Sequence, residues 1–357
     1  MRSVLQRIAT GPELSKDITR AEARDAMRLV LDGAVDPVQA GVFLIALRMK
    51  RETDDETCGI LDAVIAATHH VVAPVDELVD IADPYDGYNR SLPVAAFLPA
   101  LLAACGVAAV SHGVETLGPK YGVTHHQVLH AAGVRIDLSL DQAAARLADR
   151  DAGWAYLDQR TFCPKLHDLI ALRDLIVKRP TLTTVEGLAR PIRALTQTHL
   201  FTGYVHKAYP RIYTLLARAA GYDSALVVRG VEGGVIPSLR QAGKALCYRD
   251  QGSETEQTFA PADFGFDSGI QAPPIPDALK PASDAEDAAI DTAVVAHATA
   301  EAGMRALDGA PGAARDNLIA AAAVCLWHLG KQPTLRAAAE AVRAVLDSGA
   351  ARRRLGI

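Results

Sequence analysis

The spacing of apolar residues changes once along this chain, near Val79, and that change excludes most folds. Before it, apolar residues recur at helical spacing: Ala23, Met27, Val30 and Leu31, then Phe43, Leu44 and Leu47. After it, short apolar runs at residues 79–82, 107–110, 155–157, 200–204, 225–229 and 245–248 alternate with helical stretches. Such alternation builds a largely parallel sheet covered by helices. The reading is α/β: a small all-helical N-terminal domain (residues 1–72), expected to carry a dimer interface, and a larger α/β domain (73–357) with a mostly parallel central sheet.

Three helix starts are written into the first part. Thr19 with Glu22 and Thr53 with Glu56 are capping boxes, in which a hydroxyl and a carboxylate satisfy amides that have no partner within the helix. Asp36-Pro37 places a cap and then a residue that lacks an amide donor. Further on, residues 210–220 read as a helix ended by Gly221, and the alanine-rich stretches 93–105 and 318–326 as buried helices. Residues 251–283, rich in proline, glycine and aspartate, read as an irregular excursion, with helices resuming near Ala285.

Half of the 357 residues are apolar and 22% are charged, enough to fill a sizeable core. The net charge of −5 argues against a general nucleic-acid binder, and Arg352-Arg353-Arg354 is too short a basic run to reverse that. The five cysteines include no CxxC pair and read as reduced core residues of a cytoplasmic protein. His69-His70 and His125-His126 lack the i, i+4 spacing of a helical metal pair. No apolar run approaches the ~18 residues of a membrane span, so no membrane partner is expected.

The phrase from Asp36-Pro37 through Ala46-Leu47-Arg48-Met49-Lys50 to Glu52-Thr53 resembles the helical domain of glycosyltransferase family 3. That family includes anthranilate phosphoribosyltransferase and the pyrimidine nucleoside phosphorylases. The resemblance continues through Asp80-Ile81, Ala104-Cys105-Gly106-Val107, His112-Gly113, Val128 to Val134, Arg229-Gly230, Ala314-Arg315-Asp316 and Leu346-Asp347-Ser348-Gly349. It implies a homodimer and a nucleoside phosphorylase/phosphoribosyltransferase-like α/β domain, with the substrate site between the two domains. Phosphoribosyl pyrophosphate is the implied ligand, magnesium the implied ion, and no organic cofactor is implied.

Transfer from such a donor requires amides, cations and glycine-rich turns around phosphate. The first candidate follows a strand and precedes a helix: Asp86, Gly87, Tyr88, Asn89, Arg90 and Ser91, with Arg90 as a bidentate donor. The family usually has a glycine run and an Asn-x-Ser-Thr signature here, whereas this chain has one glycine and Pro93-Val94-Ala95-Ala96. The second candidate comprises His112, Gly113, Lys120, Tyr121 and Gly122. Here Ser111 and Val114 replace the lysine and asparagine of the usual Lys-His-Gly-Asn, and Lys120 could restore the charge. The third is Glu232, a nearby carboxylate for magnesium, because Val235 and Ile236 stand where the family carries an Asp-Glu pair. Arg173 matches the family's acceptor-carboxylate arginine, and on spacing alone it reads equally well as a surface helix arginine.

The altered tract Thr183-Thr184-Val185-Glu186-Gly187-Leu188-Ala189-Arg190-Pro191 implies an acceptor other than anthranilate. The leading reading is a phosphoribosyltransferase-like pentosyltransferase. The alternatives are a non-catalytic member that binds nucleic acid or a protein partner, and then a nucleoside phosphorylase-like enzyme.

Overall fold

The computed structural model describes residues 1–11, 13–266, 272–283 and 289–357. Four helices open the chain: α1 (Arg2–Ile8), α2 (Arg20–Leu31), α3 (Pro37–Lys50) and α4 (Asp54–Ala67). Both capping boxes form, and the Asp36 carboxylate accepts from Val38 N at 2.8 Å. Helices α2 and α4 pack so closely at Gly59 that a Cβ there would lie 2.3 Å from the Arg20 carbonyl oxygen.

Among the described residues nine strands follow: β1 (Val71–Val72), β2 (Glu77–Ala82), β3 (Ala109–Gly113), β4 (Trp154–Asp158), β5 (Ile192–Arg193), β6 (Gln197–Tyr204), β7 (Ser224–Arg229), β8 (Gly243–Tyr248) and β9 (Thr255–Phe259). β1 and β5 form a small parallel pair, and the other seven form one sheet in the order β4-β3-β2-β6-β7-β8-β9. The first five of these are mutually parallel, while β8 and β9 run antiparallel at one end. The six expected strands are all present. β3 starts and ends later than residues 107–110 suggested, so His112 and Gly113 are strand residues rather than loop residues. The excursion at 251–283 contains β9 and short 3-10 turns at Pro261–Phe264 and Asp277–Leu279; residues 267–271 lie outside the described residues. β9 escaped the apolar pattern because it is a polar edge strand in which only Phe259 is buried. The helix expected near Ala285 begins at Thr292, capped by Asp291, and residues 284–288 also lie outside the described residues.

Both sheet faces are covered, which is why the parallel strands read as unbroken apolar runs. One face packs on α5 (Leu98–Ala104) and the C-terminal helices, where Leu101, Leu318 and Val342 are buried. The other face shares a continuous core with the N-terminal helices, from Phe43, Leu47 and Leu61 to Leu78, Val110 and Leu200. The helical unit is therefore fused to the sheet through apolar contact. All five cysteines are free thiols, and only Cys105 is not fully buried. No helix among the described residues is long and apolar enough to cross a membrane.

Candidate active site

The strand order fixes where a ligand can sit. From β2 the chain moves outward through β3 to β4, then returns to the other side of β2 to lay down β6 and β7. The reversal falls between β2 and β6, and open α/β sheets bind ligands at the carboxyl ends of strands flanking such a point. A cleft of about 860 Å³ opens there, lined by the loops after β2, β6 and β7 and by the tract 179–188.

The loop after β2 is held by Asp83. Its carboxylate accepts from the Tyr88 hydroxyl at 2.6 Å and from Val235 N at 2.8 Å. His125 Nε2 lies 2.8 Å away, off the axis of a hydrogen bond. Burial works against this charge, but His125, Tyr88 and the amide outweigh it and hold the carboxyl below the usual range. Gly87 has a left-handed φ of 76° and packs on Gly122, where a Cβ would come within 2.5 Å of backbone. Tyr88 and Val123 exchange backbone bonds beside it. Gly87 and Gly122 thus let two loops touch, and neither lines the cleft. Tyr88 is turned inward onto Asp83, and Tyr121 is exposed outside the cleft.

Asp86, Asn89, Arg90, Ser91, Lys120 and Glu232 are brought together in the cleft wall. Glu232 stands in a turn after β7 at a left-handed φ of 52°. Its Oε1 accepts from the Ser91 hydroxyl at 2.7 Å and the Arg90 amide at 3.2 Å. Its Oε2 accepts from the Lys120 ammonium at 2.6 Å and the Asn89 amide at 3.2 Å. Asp86 is paired with Arg179 at 2.7 Å.

His112, Gly113 and Arg173 do not line the cleft. Because His112 belongs to β3, its side chain is buried, with Nε2 2.8 Å from Asp80 Oδ1 and Nδ1 in a short contact with the Tyr85 hydroxyl. Gly113 sits against the Tyr156 ring. Arg173 is neither a surface residue nor open to a ligand. It is 2% exposed and makes a bidentate pair with the equally buried Glu186 at 2.6 and 2.9 Å. Val235 and Ile236 are core residues.

Several lining residues were not singled out from the sequence. Tyr85 lies in the loop just after β2, behind Asp83 and Pro84, and its position after a strand end is a usable signal. Its hydroxyl is held far above the ordinary tyrosine range by burial. Tyr209 and Tyr213 lie on the helix after β6, and Arg48 and Arg179 arrive from distant segments with no local signature. Arg229, at the end of β7, is exposed and has no ion-pair partner among the described residues.

The carboxylates lining the cleft are Asp83, Asp86, Glu186 and Glu232. Each is already engaged by donors or cations of the chain. No group of three potential metal ligands occurs among the described residues. Magnesium wants free oxygen ligands, so this donor set does not fit a resident ion at Glu232. The arrangement offers instead amides, a hydroxyl and cations, a set suited to an oxyanion.

Comparison with known proteins agrees with this architecture. A family model for a glycosyl transferase helical bundle domain matches residues 2–68, and one for the a/b domain of the same family matches residues 86–352. Anthranilate phosphoribosyltransferase of Rhodopseudomonas palustris is 28% identical over 355 residues, covering 99% of this chain and 96% of that protein. The same-named protein of Azospirillum brasilense is 29% identical, covering 99% and 90%. The structure of anthranilate phosphoribosyltransferase from Thermus thermophilus superposes with a TM-score of 0.73 at 21% identity, covering 100% of this chain and 98% of that one. The Saccharomyces cerevisiae enzyme in complex with PRPP and Mg gives 0.76 at 13%, covering 99% and 95%. With both of its parts matched, the chain belongs to the glycosyl transferase family that joins a helical bundle to an α/β domain, as an anthranilate phosphoribosyltransferase-like member.

Proposed function

We propose that the chain is a phosphoribosyltransferase-like pentosyltransferase that binds a phosphorylated ribose donor in the cleft at the strand reversal. The observation that carries this reading is the convergence of two backbone amides, the Ser91 hydroxyl and the Lys120 ammonium on one point, already satisfied by a carboxylate. Lys120 and the exposed Arg229 supply positive charge for departing pyrophosphate, and the placement of these donors is the main catalytic device. In the yeast relative PRPP is bound together with Mg; here any magnesium would arrive on the donor's phosphates.

The acceptor is other than anthranilate. The buried guanidinium near the cleft, Arg173, is paired with Glu186 through both terminal nitrogens and does not line the cleft, so it is withheld from an acceptor carboxylate there. Tyr85, Tyr209 and Tyr213 provide aromatic wall instead. The non-catalytic alternative is favoured by one observation, the full commitment of the cleft carboxylates. Pyrophosphate release from phosphoribosyl pyrophosphate, measured across a panel of aromatic amines, phenols and nucleobases, separates the two. Acceptor-dependent release supports transfer, and absence of release with every acceptor contradicts it.

The protein is also proposed to be a homodimer through α3. Val42, Met49 and Leu175 are 41%, 72% and 82% exposed around an apolar groove of about 660 Å³. Exposed apolar surface of this kind marks an interface.

A further inference from the structure

The geometry points to Glu232 as a built-in stand-in for the ligand's phosphate, which must leave the cradle of Asn89, Arg90, Ser91 and Lys120 before an external oxyanion can enter. This rests on the reading of the cleft as a phosphate site and adds to it a competitor encoded in the chain.

A carboxylate and a phosphate oxygen pair ask for the same partners: N–H and O–H donors and a cation at hydrogen-bond distance. Glu232 takes four such donors, two on each oxygen, from two separate loops. The Lys120 ammonium is nearly buried and points at Oε2, and it also lies 5.4 Å from the centre of the Tyr88 ring. Tyr88 and Val123 clamp the two loops together. That clamp lets the donors stay in register when the carboxylate leaves.

The turn carrying Glu232 is anchored at its ends and bonded internally, Gly233 N to the Gly230 carbonyl and Gly234 N to the Val231 carbonyl, so the movement belongs to the Glu232 side chain. A Cβ at Gly230 would fall 1.6 Å from the Gly234 carbonyl oxygen, and one at Gly234 would fall 1.7 Å from the Tyr88 hydroxyl, so both ends are fixed by close packing. Between them, Glu232 adopts a backbone conformation that side-chain-bearing residues disfavour. Gly233 beside it also has a positive φ of 90°, and a Cβ there would meet only side-chain carbons of Val205 and Pro84. The cleft in front of the turn has room for a displaced side chain. A phosphate with more charge than one carboxylate gains the same donors and wins the exchange; a weaker oxyanion does not. The device therefore selects polyphosphates over monoanions such as acetate.

The test is calorimetry with inorganic pyrophosphate, free of magnesium, on the wild type, Glu232→Gln and Glu232→Ala, each checked for cooperative melting. Removing the competing charge should raise pyrophosphate affinity roughly 10- to 100-fold, the equivalent of one charge-assisted hydrogen bond. If wild type binds and both variants bind equally or more weakly, Glu232 is a structural pin, and the stand-in idea is overturned while the phosphate reading survives. If none of the three binds at millimolar pyrophosphate, the phosphate reading itself fails and takes this inference with it. A wild-type crystal soaked in pyrophosphate gives an answer that does not depend on a variant folding. Glu232 swung away from Lys120 with phosphate in its place is the expected result, and a bound ligand with the Glu232–Lys120 contact intact contradicts it.

Discussion

Replacing Arg173 by methionine should destabilise the protein more than any change at the cleft surface. Methionine keeps much of the aliphatic stem but removes both guanidinium bonds to Glu186 and the 3.3 Å bond to Thr183 Oγ1. Glu186 is 2% exposed, so its carboxylate cannot recover water where it stands. Breaking a buried pair by removing one partner costs about 3–5 kcal/mol, whereas replacing both by apolar groups of similar volume is often neutral. Arg173→Met should therefore lower the urea-unfolding free energy by about 3–5 kcal/mol at unchanged m-value, and Arg173→Met/Glu186→Met should regain most of the loss. Equilibrium urea unfolding, followed by circular dichroism, reads both quantities. A single-variant loss below about 1 kcal/mol, or a double variant no better than the sum of its parts, would falsify the buried pair. The argument that the pair withholds Arg173 from an acceptor carboxylate would fall with it.

Three further outcomes are expected. Arg90→Ala should weaken pyrophosphate binding in calorimetry, because Arg90 lines the cleft beside the cradle. Lys120→Ala should also lower the melting temperature, since its ion pair with Glu232 is nearly buried. Val42→Glu should give monomers by light scattering at micromolar concentration, while a dimer that persists argues against α3 as the interface. His328 is 1% exposed, and burial pushes its imidazole down to about 3. The folded state therefore refuses a proton that the unfolded chain accepts below about pH 6.5. Stability is full above that value and falls by about 1.4 kcal/mol per pH unit toward pH 3, a slope that His328→Gln should reduce in pH-dependent unfolding.

The fold was largely legible because burial on both sheet faces forces continuous apolar runs, and because the helix starts carry their own capping residues. β9 was not, since an edge strand facing solvent needs no apolar side. The loops after β2 and β3 were legible as a region, but the partners within them were not. His112 and Gly113 fall inside β3, where polar residues at a strand's end look like the start of a loop. Gly87 and Gly122 looked like phosphate-loop glycines but serve the contact between two loops. The pairing of Arg173 with Glu186 and of Lys120 with Glu232 depends on tertiary placement. Nothing in the spacing 13 or 112 residues apart announces either contact.

The most direct test of the phosphate site is calorimetric titration of phosphoribosyl pyrophosphate into the wild type and Arg229→Ala. Arg229 is the cleaner probe, because removing Lys120 weakens the ligand and Glu232 alike, whereas Arg229 has no ion-pair partner among the described residues. The account predicts saturable binding by the wild type and roughly tenfold weaker binding by the variant at unchanged stability. Absence of binding by the wild type at millimolar ligand, with and without magnesium, would contradict it.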